Sequence, residues 1–154
     1  GVAVIASLIY LAIQVRDSAR EQRALSLREA TREFGTLIRT VGENDEKACL
    51  WLDGVHEFES MSPSQRFRFN VAATYLFRHF EQIYYQNRQG RVDGEFWDGF
   101  QNQIHDIAGY RGVQAWWVTR CHWFGDSFRS FVELHMSPEN RPSIYGEEQS
   151  AQAG

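Results

Sequence analysis

Hydrophobic and polar positions fall into three regimes along the chain. In residues 2–15 every position is apolar except Ser7, Tyr10 and Gln14; from Leu27 apolar residues recur at helical spacing; from Ser137 onward the chain is polar and rich in Pro, Gly and Ser. The first regime is apolar on all sides and stops abruptly at Arg16, the pattern of a helix whose solvent is hydrocarbon. Fifteen residues at about 1.5 Å each span about 22 Å, short of the ~30 Å hydrocarbon core. The expectation is the C-terminal part of a transmembrane helix over residues 1–16, with about five residues of the span upstream. A buried core helix is the alternative reading of so short a run, and a secretory signal peptide is disfavoured because residues 16–20 offer no A-x-A cleavage site.

The second regime predicts helices. Leu27, Ala30, Phe34, Leu37, Ile38 and Val41 share one face at about 100° per residue. The anchor helix therefore either continues or restarts at Ser26, with Glu29 completing a capping box, into an amphipathic helix docked on the body. Asn44 or Asp45 can cap a short helix through "EKACLWLDGV". "SPSQ" at residues 62–65 is a strong start signal: Ser62 as N-cap, Pro63 at the first helical position, Gln65 reaching back. That central helix is expected to run to Gly90, with Phe69, Ala72, Ala73, Leu76, Phe77, Phe80, Ile83 and Tyr84 on one broad face. Asp93 can cap the next helix, which buries Phe96, Trp97, Phe100, Ile104 and Ile107 and ends at Gly109. A further helix is expected over residues 113–124, then a break at Gly125 and Asp126, then the face of Phe128, Phe131 and Val132. No alternating run bounded by hairpin turns is present, so no strands are assigned. The fold class is all-α: an irregular antiparallel helical bundle with a long N-terminal membrane-anchor helix. Residues 17–136 form the helical domain and 137–154 a disordered tail.

Composition sharpens this picture at three points. The chain has 154 residues, long enough for one domain with a real core; eleven Phe, six Tyr and five Trp carry most of its burial. The net charge of −4 provides no basic field for nucleic acid, and no RNA-reading motif accompanies it. Of sixteen basic residues only Lys47 is a lysine, which suits an aromatic interior, because arginine stacks on rings and pairs bidentately with carboxylates. Arg16, Arg20, Arg23, Arg28 and Arg32 follow the apolar run closely. Basic flanks of this kind mark the cytoplasmic side, whereas the interleaved Asp17, Glu21, Glu29 and Glu33 count for little. Cys49 and Cys121 are isolated and read as reduced core thiols.

The segments "LIYLAIQVR", "LWLDG", "MSPSQRFRF", "FEQIYYQNRQGRVDGEFWDGF" and "GVQAWW", in this order, resemble an uncharacterised group of small bacterial proteins that place one membrane helix before an all-helical domain. The resemblance covers the chain to about residue 135. It implies bacterial origin and a membrane anchor, and it implies no activity; taken with the basic flank, the expected location is a bacterial inner membrane, single-pass, with the domain facing the cytoplasm.

Catalytic chemistry has no recognisable pattern here. Five histidines lack metal-ligand spacing, Asp53-x-x-His56 being one weak pair, and no G-x-S-x-G elbow or phosphate loop occurs. No metal or cofactor is expected. One polar residue looks misplaced: Arg120 projects into the face of Val113, Trp116, Trp117, Trp123 and Phe124, where an unpaired guanidinium would be costly. Glu81 is its first candidate partner and Asp98 its second. Two readings follow: a structural ion pair under Trp116 or Trp117, or a ligand pocket with walls of Tyr84, Tyr85, Trp116 and Trp117 and polar groups Glu81, Arg120 and His135. The function expected is a membrane-anchored binding or scaffold protein. The alternatives are a carrier or sensor of a small apolar or anionic ligand, and an enzyme with an unfamiliar site. The expected partners are the membrane through residues 1–15, and a membrane protein or a second copy.

Overall fold

The computed structural model describes residues 1–136. Among them are six α-helices and no strand, so the chain is an all-α bundle; the expected tail lies outside the described residues. Helix α1, Val2–Gly42, is a single uninterrupted helix of 41 residues, about 60 Å long. It does not restart at Ser26, because nothing there breaks helical geometry. By length and composition α1 is a helix long and apolar enough to cross a membrane, and none of its apolar window near the N-terminus is buried. Its second half docks on the body: Ala30 and Leu37 are buried and Phe34 and Val41 pack against the core.

Helix α2, Asp45–Glu57, starts where Asn44 accepts a hydrogen bond from Lys47 N. Helix α3, Pro63–Arg88, opens with the full capping box, since Gln65 N donates to Ser62 Oγ and Ser62 N donates to Gln65 Oε1. Gly90 ends it at φ +68°, a left-handed conformation that side chains resist. Helix α4, Gly94–Ala108, is capped by Asp93. Helix α5 spans Arg111–Arg120 and helix α6 spans Asp126–Leu134.

α3 is the axis of the body. Phe69, Ala73, Leu76, Phe77, Phe80 and Ile83 are all buried along it. α1 lies antiparallel against α3, with Leu27 and Ala30 beside Ile83 and Gln86, Phe34 stacked 5.7 Å from His79, and Leu37 near Phe69. α4 meets α3 through Phe100 against Phe80, and α6 meets it through Phe128 against Tyr84. α2 and α5 cross almost backbone to backbone: a Cβ on Gly112 would overlap the carbonyl of Gly54, and one on Gly54 would overlap the ring of Phe69. Arg111 fastens this crossing by donating from Nε to His56 O (2.8 Å) and pairing with Glu57.

One boundary differs from expectation. The helix expected over residues 113–124 ends at Arg120, and Cys121–Trp123 form a 3-10 turn. Phe124 is extended, which buries its ring. The turn is held from α3, where Arg78 Nη2 donates to Trp123 O (2.9 Å) and its guanidinium lies 4.7 Å from the Phe124 ring centre. Such long-range contacts carry no local sequence signal.

Candidate functional site

Arg120 occupies a different setting from the one its sequence position suggests. It is half-buried, and no carboxylate among the described residues lies within ion-pair distance. Its Nε donates to Asn70 Oδ1 (3.0 Å), its Nη1 to Thr119 O (3.0 Å), and its guanidinium covers the exposed Trp123 ring at 4.9 Å. The expected pairing with Glu81 fails for a geometric reason. Arg120 meets α3 at Asn70, and Glu81 lies eleven residues further along that helix, about 16 Å away. Asp98, the second candidate, lines a recess with Gln101, Asn102, His105 and His135.

Glu81 has its own partners. It accepts from Arg78 Nη1 (2.6 Å) and from Gly125 N (2.8 Å), tying α3 to the start of α6. Tyr85 reaches the same region, its hydroxyl 3.4 Å from Ser127 Oγ. Tyr84 is packed among Tyr85, Trp97, Phe128 and Phe131. Trp116 is fully buried and donates to Asn70 Oδ1 (2.9 Å). Trp117 is buried, stacks on Phe124, and its indole N–H lies 3.4 Å from Glu133 Oε1. His135 places Nδ1 2.7 Å from Phe131 O and borders the shallow polar recess of about 380 Å³ named above. Three settings result: Arg120 with Trp116 on Asn70; Glu81, Tyr84, Tyr85 and Trp117 around α6; and His135 at the α4 edge. Asn70 and Arg78, which organise the first two, were invisible as site residues. Asn70 offered only the faint signal of an amide among apolar positions, and Arg78 only its i,i+3 spacing to Glu81.

Open space lies elsewhere, along the last three turns of α1. One groove of about 530 Å³ is lined by Leu37, Thr40, Val41, Leu50, Trp51, Phe67, Phe69, Val71, Ala72 and Tyr75, with Thr36, Lys47 and Arg68 at its border. A second, of about 610 Å³, opens on the other side of α1 between Phe34, Leu37, Ile38, Val41, Trp51 and Leu76 and the α4 residues Gly99, Asn102, Gln103, Asp106 and Ile107. Leu37, Val41 and Trp51 belong to both. Beside the first groove Phe67, Val71 and Tyr75, at i, i+4 and i+8 on α3, are 67%, 53% and 49% exposed. The three form a continuous apolar stripe on the outer face of α3.

Electrostatics around the grooves are modest. Arg68 Nη1 lies 2.7 Å from Glu46 Oε1, and this hydrogen bond and charge lower the Glu46 pKa. At the α1–α3 contact His79 is 6% exposed and its pKa is lowered, because burial disfavours the imidazolium more than Glu33, 3.7 Å away, favours it. Its Nδ1 has no hydrogen-bond partner. Cys49 and Cys121 are free thiols, but Cys49 is exposed, not a core residue as its isolation suggested. Among the described residues no group of three or more His, Cys, Asp or Glu is placed to hold a metal ion. No family model, curated protein or solved structure matches the chain.

Proposed function

We propose that this protein is a single-pass, membrane-anchored helical binding or scaffold protein, with its body on the cytoplasmic face of a bacterial inner membrane, presenting the two α1 grooves to a partner. The observation that carries the reading is the state of α1's first half. Val4, Ile5 and Leu8 are each 60% exposed and Ile9 and Leu11 56%, although the same helix buries Ala30 and Leu37 further on. A folded body that covers one half of a helix and leaves so much aliphatic surface on the other needs an apolar solvent for it. The basic flank from Arg16 to Arg32 supports the cytoplasmic orientation. The exposed Phe67, Val71 and Tyr75 stripe supports a partner surface.

The test uses the full-length protein in its native membranes. Alkaline carbonate is expected to leave it in the membrane pellet. Exposed Cys49 is expected to react with an impermeant maleimide in inside-out vesicles and not in intact spheroplasts. Quantitative release by carbonate would overturn the anchor, and labelling from outside would overturn the orientation.

A second reading, a carrier or sensor of a small apolar ligand, draws on the first groove, whose volume falls in the range of small-molecule sites. A brominated long-chain fatty acid that quenches tryptophan fluorescence in the wild type, and not in Val71→Glu or Trp51→Phe, would favour it. Partner capture lost on Val71→Glu, without such quenching, would favour the scaffold.

A further inference from the structure

α1 sorts its charges by face where it leaves the apolar run. At about 100° per residue, Arg16, Arg20 and Arg23 fall within an arc of about 60°. That arc coincides with the side that carries Leu27, Ala30 and Phe34 into the body. Asp17 and Glu21 are turned about 90° or more away from its centre. The three arginines are exposed; Arg16 has only a 4.0 Å contact with Asp17, and Arg20 and Arg23 have no ion-pair partner among the described residues. Just above them the body supplies a fourth cation. Exposed Arg91, in the turn between α3 and α4, lines one crevice with Leu27, Ala30, Ile83, Gln86 and Phe96. It therefore stands one helical turn beyond Arg23 on the same side. The nearby Asp93 is engaged in capping α4.

Resting on the membrane reading above, we propose that Arg16, Arg20 and Arg23 form a ladder for the phosphates of anionic phospholipid headgroups, with Arg91, a turn further out, adding to the local positive field. Height fits this occupant. The headgroup layer adds about 5–7 Å on each side of the hydrocarbon. Arg16, Arg20 and Arg23 stand about 0, 6 and 10 Å beyond the first charged position along α1, and arginine stems extend back toward an interface. Charge also fits, because the whole chain is net acidic, so the attraction is confined to this corner. A juxtamembrane arginine is worth about fivefold in affinity for an anionic surface.

The experiment titrates the detergent-solubilised full-length protein with phosphatidylglycerol or phosphatidylcholine and follows lipid adducts by native mass spectrometry. Phosphatidylglycerol is expected to bind in preference. The triple variant Arg16→Gln, Arg20→Gln, Arg23→Gln is expected to lose that preference by about fivefold per residue, and Arg91→Gln to weaken it further. Arg28→Gln, Arg32→Gln, Arg39→Gln removes the same charge from the opposite face of α1 and is expected to leave the preference intact. Equal binding of the two lipids, or equal losses from the two triple variants, overturns the ladder. Displacement of the lipid by inorganic phosphate at matched concentration overturns the lipid assignment. Carbonate extraction separates the two proposals: a protein that resists extraction but shows no lipid preference sinks the ladder alone, whereas an extractable protein sinks the anchor.

Discussion

The amide oxygen of Asn70 serves three donors: the fully buried Trp116 indole, the half-buried Arg120 guanidinium and, at 3.5 Å, the Thr74 hydroxyl one turn along α3. Removing it strands a donor that water cannot reach, so Asn70→Ala should cost about 1–3 kcal/mol. Arg120→Ala removes a group that solvent already touches and should cost less than Asn70→Ala. Denaturant titration followed by tryptophan fluorescence checks the order, and the reverse order would refute this account of the contact. Sequence pattern singled out Arg120 but set it in the middle of a helical face that ends at Arg120 itself, and misassigned its partner, because nothing in helical periodicity fixes where one helix crosses another. His79 carries a second residue-scale consequence. Burial holds its folded pKa below the usual 6.5 of the unfolded chain, so the unfolded state binds the proton more readily. Its contribution is complete above about pH 6.5 and is lost as pH falls from there through the folded pKa. Thermal unfolding between pH 5 and 8 should show stability declining toward acid, with His79→Phe flattening the decline. Since Phe34 stacks on His79 and Glu33 faces it, α1 should be the element that loosens first, readable as early loss of amide protection around Ala30 and Leu37.

At the scale of elements, the starts and stops were legible because their chemistry is local. Asn44, Ser62 with Pro63 and Gln65, Asp93 and Gly90 each perform the cap their type suggests. The end of α5 was not, because Arg78, forty-five residues upstream of Trp123, fixes it. Nor could the grooves be read, since they exist only where α1, α2, α3 and α4 leave space between them. The glycines divide in the same way. Gly35 is exposed on α1 with open space around its Cβ position, whereas Gly112 faces the backbone of Gly54 and Val55. Gly35→Ala should therefore stabilise by roughly 0.5–1 kcal/mol through helix propensity. Gly112→Ala should destabilise by about 1–3 kcal/mol or more, as overpacking does, because backbone cannot rotate out of the way. Chemical denaturation of both variants checks the pair, and a neutral Gly112→Ala would mean that α2 and α5 do not cross so closely.

For the whole molecule, the continuity of α1 makes position a consequence of helix geometry. On the proposed reading the helix leaves the bilayer near Arg16 and ends at Gly42, twenty-six residues and about 39 Å further on; an ordinary tilt of about 20° shortens this little. The grooves flanking Leu37 and Val41 are then held some 30 Å above the membrane, while the turn carrying Arg91 stays near it. A flexible tether would hold neither distance, so the helix fixes which partners can reach the grooves: those whose own contact surfaces stand at that height. Cys49, exposed near the distal end, provides a reporter once Cys121 is changed to Ser. Energy transfer from a dye on Cys49 to an acceptor in the lipid headgroups of reconstituted vesicles should report a narrow separation of about 35–40 Å. Arg23→Pro breaks the helix between anchor and body at a cost of about 3 kcal/mol confined to that turn. It should shorten and broaden the distribution while leaving the aromatic core's unfolding transition in place. A wild-type separation already short and broad would show that α1 is no strut, and would remove the reason for partners to be selected by height.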